Sequence, residues 1–191
     1  MKVFINPGHA PNGNPDPGAL NEYLGLRECD IALSIGDLVR RYLVKAVCKV
    51  KELQSHNLAG ESAGECIVQS ANDWQADIFV SIHCNAANTL ARGAETLVYS
   101  LTGEGAALGR FIQNQLCSTL QKFNNDFPDR GLKCRPLLAV LRGTTMPAVL
   151  VETAFIDNDL DALLLMNQQQ DIAGAIARGI TDYWQKNSRE E

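Results

Sequence analysis

Three apolar runs of the chain lead directly into ionisable side chains: KVFIN-PG into His9, DIFVSI into His83 and PAVLV into Glu152. In open α/β sheets, ligands bind in the crevice beyond the carboxyl ends of the strands, so groups distant in sequence can converge there. The chain holds 3 His, and two of them occupy such positions. The remaining one, His56, lies between Ser55 and Asn57 after a strand-like run and reads as exposed. A single His after a strand is usually a hydrogen-bonded loop residue. Two such His with a carboxylate after a third strand read as a site.

A catalytic zinc takes three protein ligands from His nitrogen and carboxylate oxygen, and keeps a fourth position for water. His9 and His83 would supply two of them. Glu22, in a loop, and Glu28, at a helix start, are the candidates for the third. Glu28 shares the inward face of its helix with Ile31 and Ile35. A right-handed crossover would bring its first turn to the carboxyl edge of the sheet. Glu22 has no comparable anchoring, so Glu28 is chosen, its plainer role being to offset the helix dipole. Two imidazoles and one carboxylate suit Zn2+ better than calcium or magnesium, which prefer oxygen shells. Glu152 is then the natural general base, since zinc lowers the pKa of its water towards ~7 and a nearby carboxylate can carry the proton to a leaving amine. Its plainer reading is a helix cap or ion pair. A carboxylate directly after an apolar run is nevertheless costly to bury without partner or purpose.

The elements that would position these groups alternate between strand-like and helix-like patterns, which predicts an α/β layer architecture. Strands are expected at 2–6, 46–53, 77–82, 93–99, 137–141 and 147–151. Helices are expected at 28–44, 61–74, 104–122 and 168–186. Residues 10–26, rich in Pro, Gly and Asn, read as a long loop, of a length usually reserved for function; residues 124–136 read as a second loop. Continuous apolar strands separated by helices imply a mostly parallel or mixed sheet covered on both faces.

Length and composition narrow the class. A chain of 191 residues suits one domain, and 46% hydrophobic with 20% charged residues excludes a disordered chain or a coiled coil. A formal net charge of −5 argues against a nucleic-acid-binding surface. No apolar run reaches the length of a transmembrane helix, and the N-terminal MKVFINPGHA lacks the apolar core of a signal peptide. The 6 cysteines are scattered without a C-x-x-C pair, and are expected to be mostly buried thiols of a reducing compartment.

At these residues the sequence resembles the zinc-dependent N-acetylmuramoyl-L-alanine amidases of the Amidase_3 family. NPGH at 6–9 is similar to the first zinc motif, and GLRECDIALSIGDLVRRYL at 25–43 to the Glu-bearing helix. ANDWQADIFVSIHCNAA at 71–87 matches the strongest signature, and PAVLVETAFIDN at 147–158 the catalytic-Glu motif. Gly93-Ala94-Glu95, and Arg130 to Lys133 with Leu138 to Arg142, match more weakly. The resemblance implies a single catalytic domain over 1–191 without a separate wall-binding domain, built on a twisted sheet of phosphorylase/hydrolase-like form. It implies zinc on His9, Glu28 and His83, Glu152 as the catalytic carboxylate, and substrate-binding roles for Asn85, Arg130 and Arg142. The implied reaction is hydrolysis of the amide between N-acetylmuramic acid and L-alanine in peptidoglycan. Two departures stand out: APNGNPDPGA replaces the usual Gly-Gly-Asp run after the first His, and IVQS at 67–70 lacks an Arg common before the AN…AD stretch.

Two rivals are a zinc peptidase cutting within the stem peptide and a non-catalytic wall-binding module of the same fold. With no signal peptide visible, action on the cell wall would follow lysis or export, as for a phage or prophage lysin, a lysis-released enzyme or a trimmed secreted domain. The segment from Cys84 to Val151 is filled by expected elements, leaving no helix to plug the metal. An open site, working without an obligate activator, is therefore expected; Glu104 is the one candidate in that segment for a fourth ligand.

Overall fold

A computed structural model describes residues 1–187. Its centre is a six-stranded sheet formed by β1 (Lys2–Pro7), β4 (Lys49–Glu52), β5 (Ile78–Asn85), β6 (Ala94–Val98), β7 (Asp129–Cys134) and β8 (Ala148–Phe155). The strand order is β4-β1-β5-β8-β6-β7. The first four run parallel; β6 lies antiparallel to β8 and parallel to β7. The sheet is thus mostly parallel with a reversed edge pair, as in mixed sheets of α/β domains.

Strand alternation splits the core in two. Val3, Ile5, Val80, Ile82, Val149 and Val151 belong to the larger core, with α1 (Glu28–Lys45), α3 (Gly103–Leu120) and α6 (Gln169–Asn187). Phe4, Phe79, Leu97 and Leu150 face the other side, with α2 (Ile67–Asp73) and α4 (Ala139–Gly143). Register partners share a face, so His83, opposite Glu152, and Glu152, opposite Glu95, continue the face of the smaller core. The helices on that face are short, 7 and 5 residues.

The long segment after β1 holds a 3-10 turn (Pro11–Gly13) and a tiny hairpin of β2 (Leu20–Asn21) and β3 (Leu26–Arg27). The last helix to be placed, α5 (Asp159–Asn167), has no counterpart in the expected elements. Its start carries a plain signal: the Asn158 side chain accepts from the N–H groups of Leu160 and Asp161, and Asp159 and Asp161 lie in the first turn. Asp161, fully buried, takes the Arg92 guanidinium and the N–H groups of Gly93 and Phe155, so it ties the start of β6 to the end of β8.

Four expected elements differ. The 61–74 helix shortens to Ile67–Asp73 because Gly60 and Gly64, both at φ +97, hold a loop before it. The 46–53 strand shortens to Lys49–Glu52 after a turn in which Val47 has φ +62. The 124–136 loop contains β7, an exposed edge strand with no apolar alternation to announce it. The 137–141 strand is instead the helix α4, whose Val140 and Leu141 are buried together in the smaller core. His56 is half-buried rather than exposed. The six cysteines are free, but only Cys29, Cys84 and Cys117 are buried, and Cys134 is exposed.

Candidate metal centre

The site is built from β1 outwards. Asn6 of the NPGH run donates to the carbonyls of Pro7 and Leu53 and accepts from Ser81 Oγ, pinning the end of β1 between its neighbours. Gly8 then passes so close to the His83 ring that an added Cβ would collide with it. His9 follows with φ +68, a left-handed conformation that a non-glycine residue adopts at a cost. That turn brings its ring to 4.9 Å from that of His83, measured between centroids.

Glu28, the first residue of α1 and 4% exposed, stands between the two rings. Its Oε1 lies 2.9 Å from His83 Nδ1 and accepts from the Cys84 N–H at 3.0 Å. Its Oε2 accepts from the Ala19 N–H at 2.8 Å and lies 2.9 Å from His9 Nε2. The ligand atoms of His9, Glu28 and His83 all lie within 4.8 Å of one another. Both candidate carboxylates for the third position can thus be placed: Glu28 is in the cluster, whereas Glu22 is exposed on a groove of about 660 Å³ with Leu20, Tyr23, Leu90 and Leu160.

Two observations test whether this cluster fits a metal. His9 Nε2 is buried and, despite its proximity to Glu28, makes no hydrogen bond. On the opposite side of the ring, His9 Nδ1 is 2.8 Å from Asp16 Oδ2. A carboxylate on one imidazole nitrogen fixes the tautomer that leaves the other nitrogen's lone pair for a metal. Asp16 is in turn held by the Gly18 N–H at 3.0 Å. The replaced run APNGNPDPGA therefore supplies a supporting carboxylate, a role that reading the sequence missed. Its signal was an Asp, flanked by prolines, seven residues after the first His.

The electrostatics agree. Burial works against an imidazolium at His9, yet the nearby Glu28 and Asp16 carboxylates outweigh it and push its pKa up to about 9. Burial likewise disfavours the Glu28 carboxylate, but the two imidazoles hold it well below the usual range. The pocket stabilises positive charge between these groups, which is what a divalent cation would use. Donors and charge fit the group.

Glu152 lies beside this cluster, opposite His83 in the register of β5 and β8. Burial pushes its carboxyl up to about 7, with the opposing charges of His83 and His9 only partly offsetting it and those of Glu28 and Glu95 adding to it. Its Oε2 is buried without a partner. A carboxyl that titrates near neutrality can both take and return a proton.

The other expected site residues are distributed unevenly. Asn85, at the end of β5, donates to Glu95 Oε1, and its own oxygen accepts from the Ala86 N–H, so both ends of its amide are engaged. Arg130 on β7 donates from Nε to Glu95 Oε2 at 2.7 Å. Glu95, not among the expected site residues, thus holds both and stands opposite Glu152 in the register of β6 and β8. Arg142 lies elsewhere: it lines a cavity of about 260 Å³ with Tyr99, Ser100, Thr102 and Met146, beside the start of β8 at the opposite edge of the sheet. Glu104 accepts from Tyr183 Oη and Asn187 Nδ2, and among the described residues no side chain from 84–151 joins the metal cluster.

Residues 3–182 match the Amidase_3 family, described as N-acetylmuramoyl-L-alanine amidase. The chain is 34% identical over 182 residues to N-acetylmuramoyl-L-alanine amidase CwlM of Bacillus licheniformis, covering 94% of this chain and 67% of the relative. It is 33% identical over 186 residues to the endolysin of Bacillus phage SPP1, covering 94% of this chain and 65% of the endolysin. Among solved structures, N-acetylmuramoyl-L-alanine amidase AmiC2 of Nostoc punctiforme superimposes with a TM-score of 0.81 at 30% identity, covering 97% of each chain. The sheet, the convergent motifs and these likenesses lead to one conclusion: the chain belongs to the Amidase_3 family of N-acetylmuramoyl-L-alanine amidases.

Proposed function

We propose that this chain is a zinc-dependent amidase that hydrolyses the bond between N-acetylmuramic acid and L-alanine in peptidoglycan. The observation that carries this reading is the convergence of His9, Glu28 and His83, whose ligand atoms lie within 4.8 Å of one another, with Glu152 alongside. His9, Glu28 and His83 would hold the zinc, which when bound supplies a Lewis acid for the scissile carbonyl and lowers the pKa of water. Asp16 keeps His9 in the ligating tautomer. Glu152 accepts the proton of the attacking water and returns it to the departing L-alanine nitrogen. The groove of about 660 Å³, walled by the segments that follow β5 and β8, offers mixed apolar and polar surface for a peptide.

The domain acts alone in this reading, as a single catalytic unit over 1–191 without an obligate activator. The place of action is the cell wall, reached by lysis or export. Relatives named as an endolysin and as a sporulation-specific amidase support that setting. Digestion of purified peptidoglycan with mass analysis of the products tests the reaction. Free L-alanine N-termini with intact glycans are expected. New amino termini elsewhere in the stem peptide would make the protein a peptidase, and binding without products would make it a wall-binding module.

A further inference from the structure

Glu95 is buried in β6, 7% exposed, directly opposite Glu152 in the register of β6 and β8. It spends both carboxylate oxygens on side chains from two other strands, Oε1 on Asn85 Nδ2 at 3.1 Å and Oε2 on Arg130 Nε at 2.7 Å. The backbone is irregular at this point. The register of β6 and β7 shifts between Ala94 and Thr96, so Arg130 and Gly131 share the place opposite Glu95. Gly131 has φ +69, a conformation that glycine adopts without strain. A bulge of this kind re-aims a side chain, and such bulges concentrate next to active sites.

Here the bulge sends the Arg130 guanidinium to Glu95 and over the Phe155 ring, 4.9 Å from its centroid. The Arg130 side chain remains 37% exposed. Only Nε is committed to Glu95; Nη1 makes a long contact of 3.5 Å with the Arg92 carbonyl. A half-exposed ion pair contributes little stability, so stability alone does not account for a bulge, a buried carboxylate and a stacked guanidinium. Glu95 and Glu152 stand opposite each other in the register of β6 and β8, and Arg130 is the cation hydrogen-bonded to that pair through Glu95.

We infer that Glu95 is a positioning residue that sets the Arg130 guanidinium at the rim of the catalytic crevice, where its remaining N–H donors take a carboxylate of the substrate peptide. This rests on the amidase reading. A guanidinium held by one edge still offers paired donors in the geometry of a carboxylate.

The test is steady-state kinetics on a soluble muramoyl peptide with free carboxylates and on its amidated counterpart, with zinc content and Tm measured for every protein. Arg130→Ala is expected to raise KM for the carboxylate substrate about 10-fold or more, the scale of one charge-assisted hydrogen bond, with kcat within a few-fold and the preference over the amidated substrate lost. Glu95→Ala is expected to show the same split, and the double variant to be no worse than Arg130→Ala alone. Glu95→Gln keeps an acceptor for Arg130, is expected to retain part of the effect, and serves if Glu95→Ala fails to fold. An unchanged KM and substrate preference in Arg130→Ala would overturn the inference. So would full additivity in the double variant, or a loss confined to kcat in the Glu95 variants, which would mean that Glu95 acts on Glu152 directly. If the wild type cleaves neither muramoyl peptide, the amidase reading itself falls and the inference with it.

Discussion

Glu28 and Glu152 are two carboxylates in the neighbourhood of His9 and His83, yet their environments drive them in opposite directions. Glu28 accepts two backbone N–H bonds and sits against both rings, so it stays charged; Glu152 has an unpartnered oxygen, so burial dominates. The proposed ligand and the proposed proton carrier should therefore separate on mutation. Glu28→Ala is expected to lose zinc, whereas Glu152→Gln should keep it and lose turnover by roughly 10²–10⁴-fold; metal analysis beside an activity assay distinguishes the two. A second expectation concerns stability in the metal-free protein. With a folded pKa raised to about 7, Glu152 favours the folded state fully below its ordinary carboxyl range, and that contribution is lost as the pH rises through about 7. Metal-free Glu152→Gln should thus gain on metal-free wild type between pH 4.5 and pH 8, by up to ~3 kcal/mol. Parallel denaturant curves with no pH-dependent divergence would show that Glu152 does not hold its proton in the folded protein.

The elements deliver these side chains through backbone positions that tolerate little change. Gly18 lies at φ +71, and a Cβ there would come within 2.6 Å of both Glu28 Oε2 and the His9 ring. Gly18→Ala should therefore weaken zinc binding at least 10-fold, the size of effect seen when support around a ligand is lost, while far-UV circular dichroism stays unchanged. Equal zinc affinity in the variant would mean that the loop relaxes freely around the cluster. Most of the architecture was legible, because strands such as 77–82 and 147–151 are apolar throughout and α1 repeats its apolar residues at helical spacing. The grouping of His9, Glu28 and His83 was legible because they follow those strands or open that helix. What escaped was structure fixed by tertiary contact: the edge strand β7 has no buried face to pattern, and α4 is too short to show a period. The place of Arg142 was equally hidden, since the sequence gives no sign of which edge of the sheet α4 meets. Glu95 and Asp16 escaped for a related reason. They act on other side chains, and only the bulge at Gly131 and the turn at His9 bring those partners within reach.

At the scale of the molecule, the three proposed ligands come from the segment after β1, the start of α1 and the end of β5, so a bound ion would join parts of the chain 74 residues apart between His9 and His83. Without it, Glu28 and Asp16 remain within 2.9 Å of the two His9 ring nitrogens and raise its pKa to about 9. Zinc should accordingly stabilise the whole domain as well as enable turnover, because a ligand that binds only the folded state adds about 2.7 kcal/mol at a hundredfold excess over its Kd. For a domain of this size that corresponds to a rise in Tm of roughly 5–10 °C. Exhaustive chelation is expected to lower Tm by that amount and abolish peptidoglycan hydrolysis. Added zinc should restore both, and calcium or magnesium neither, since two imidazole nitrogens suit a softer ion. Full hydrolysis by protein shown metal-free by elemental analysis would sink the zinc assignment. Recovery of Tm without recovery of hydrolysis would instead place the fault at Glu152 or the substrate crevice, because the ligand set would then be intact and the proton carrier or substrate contacts deficient.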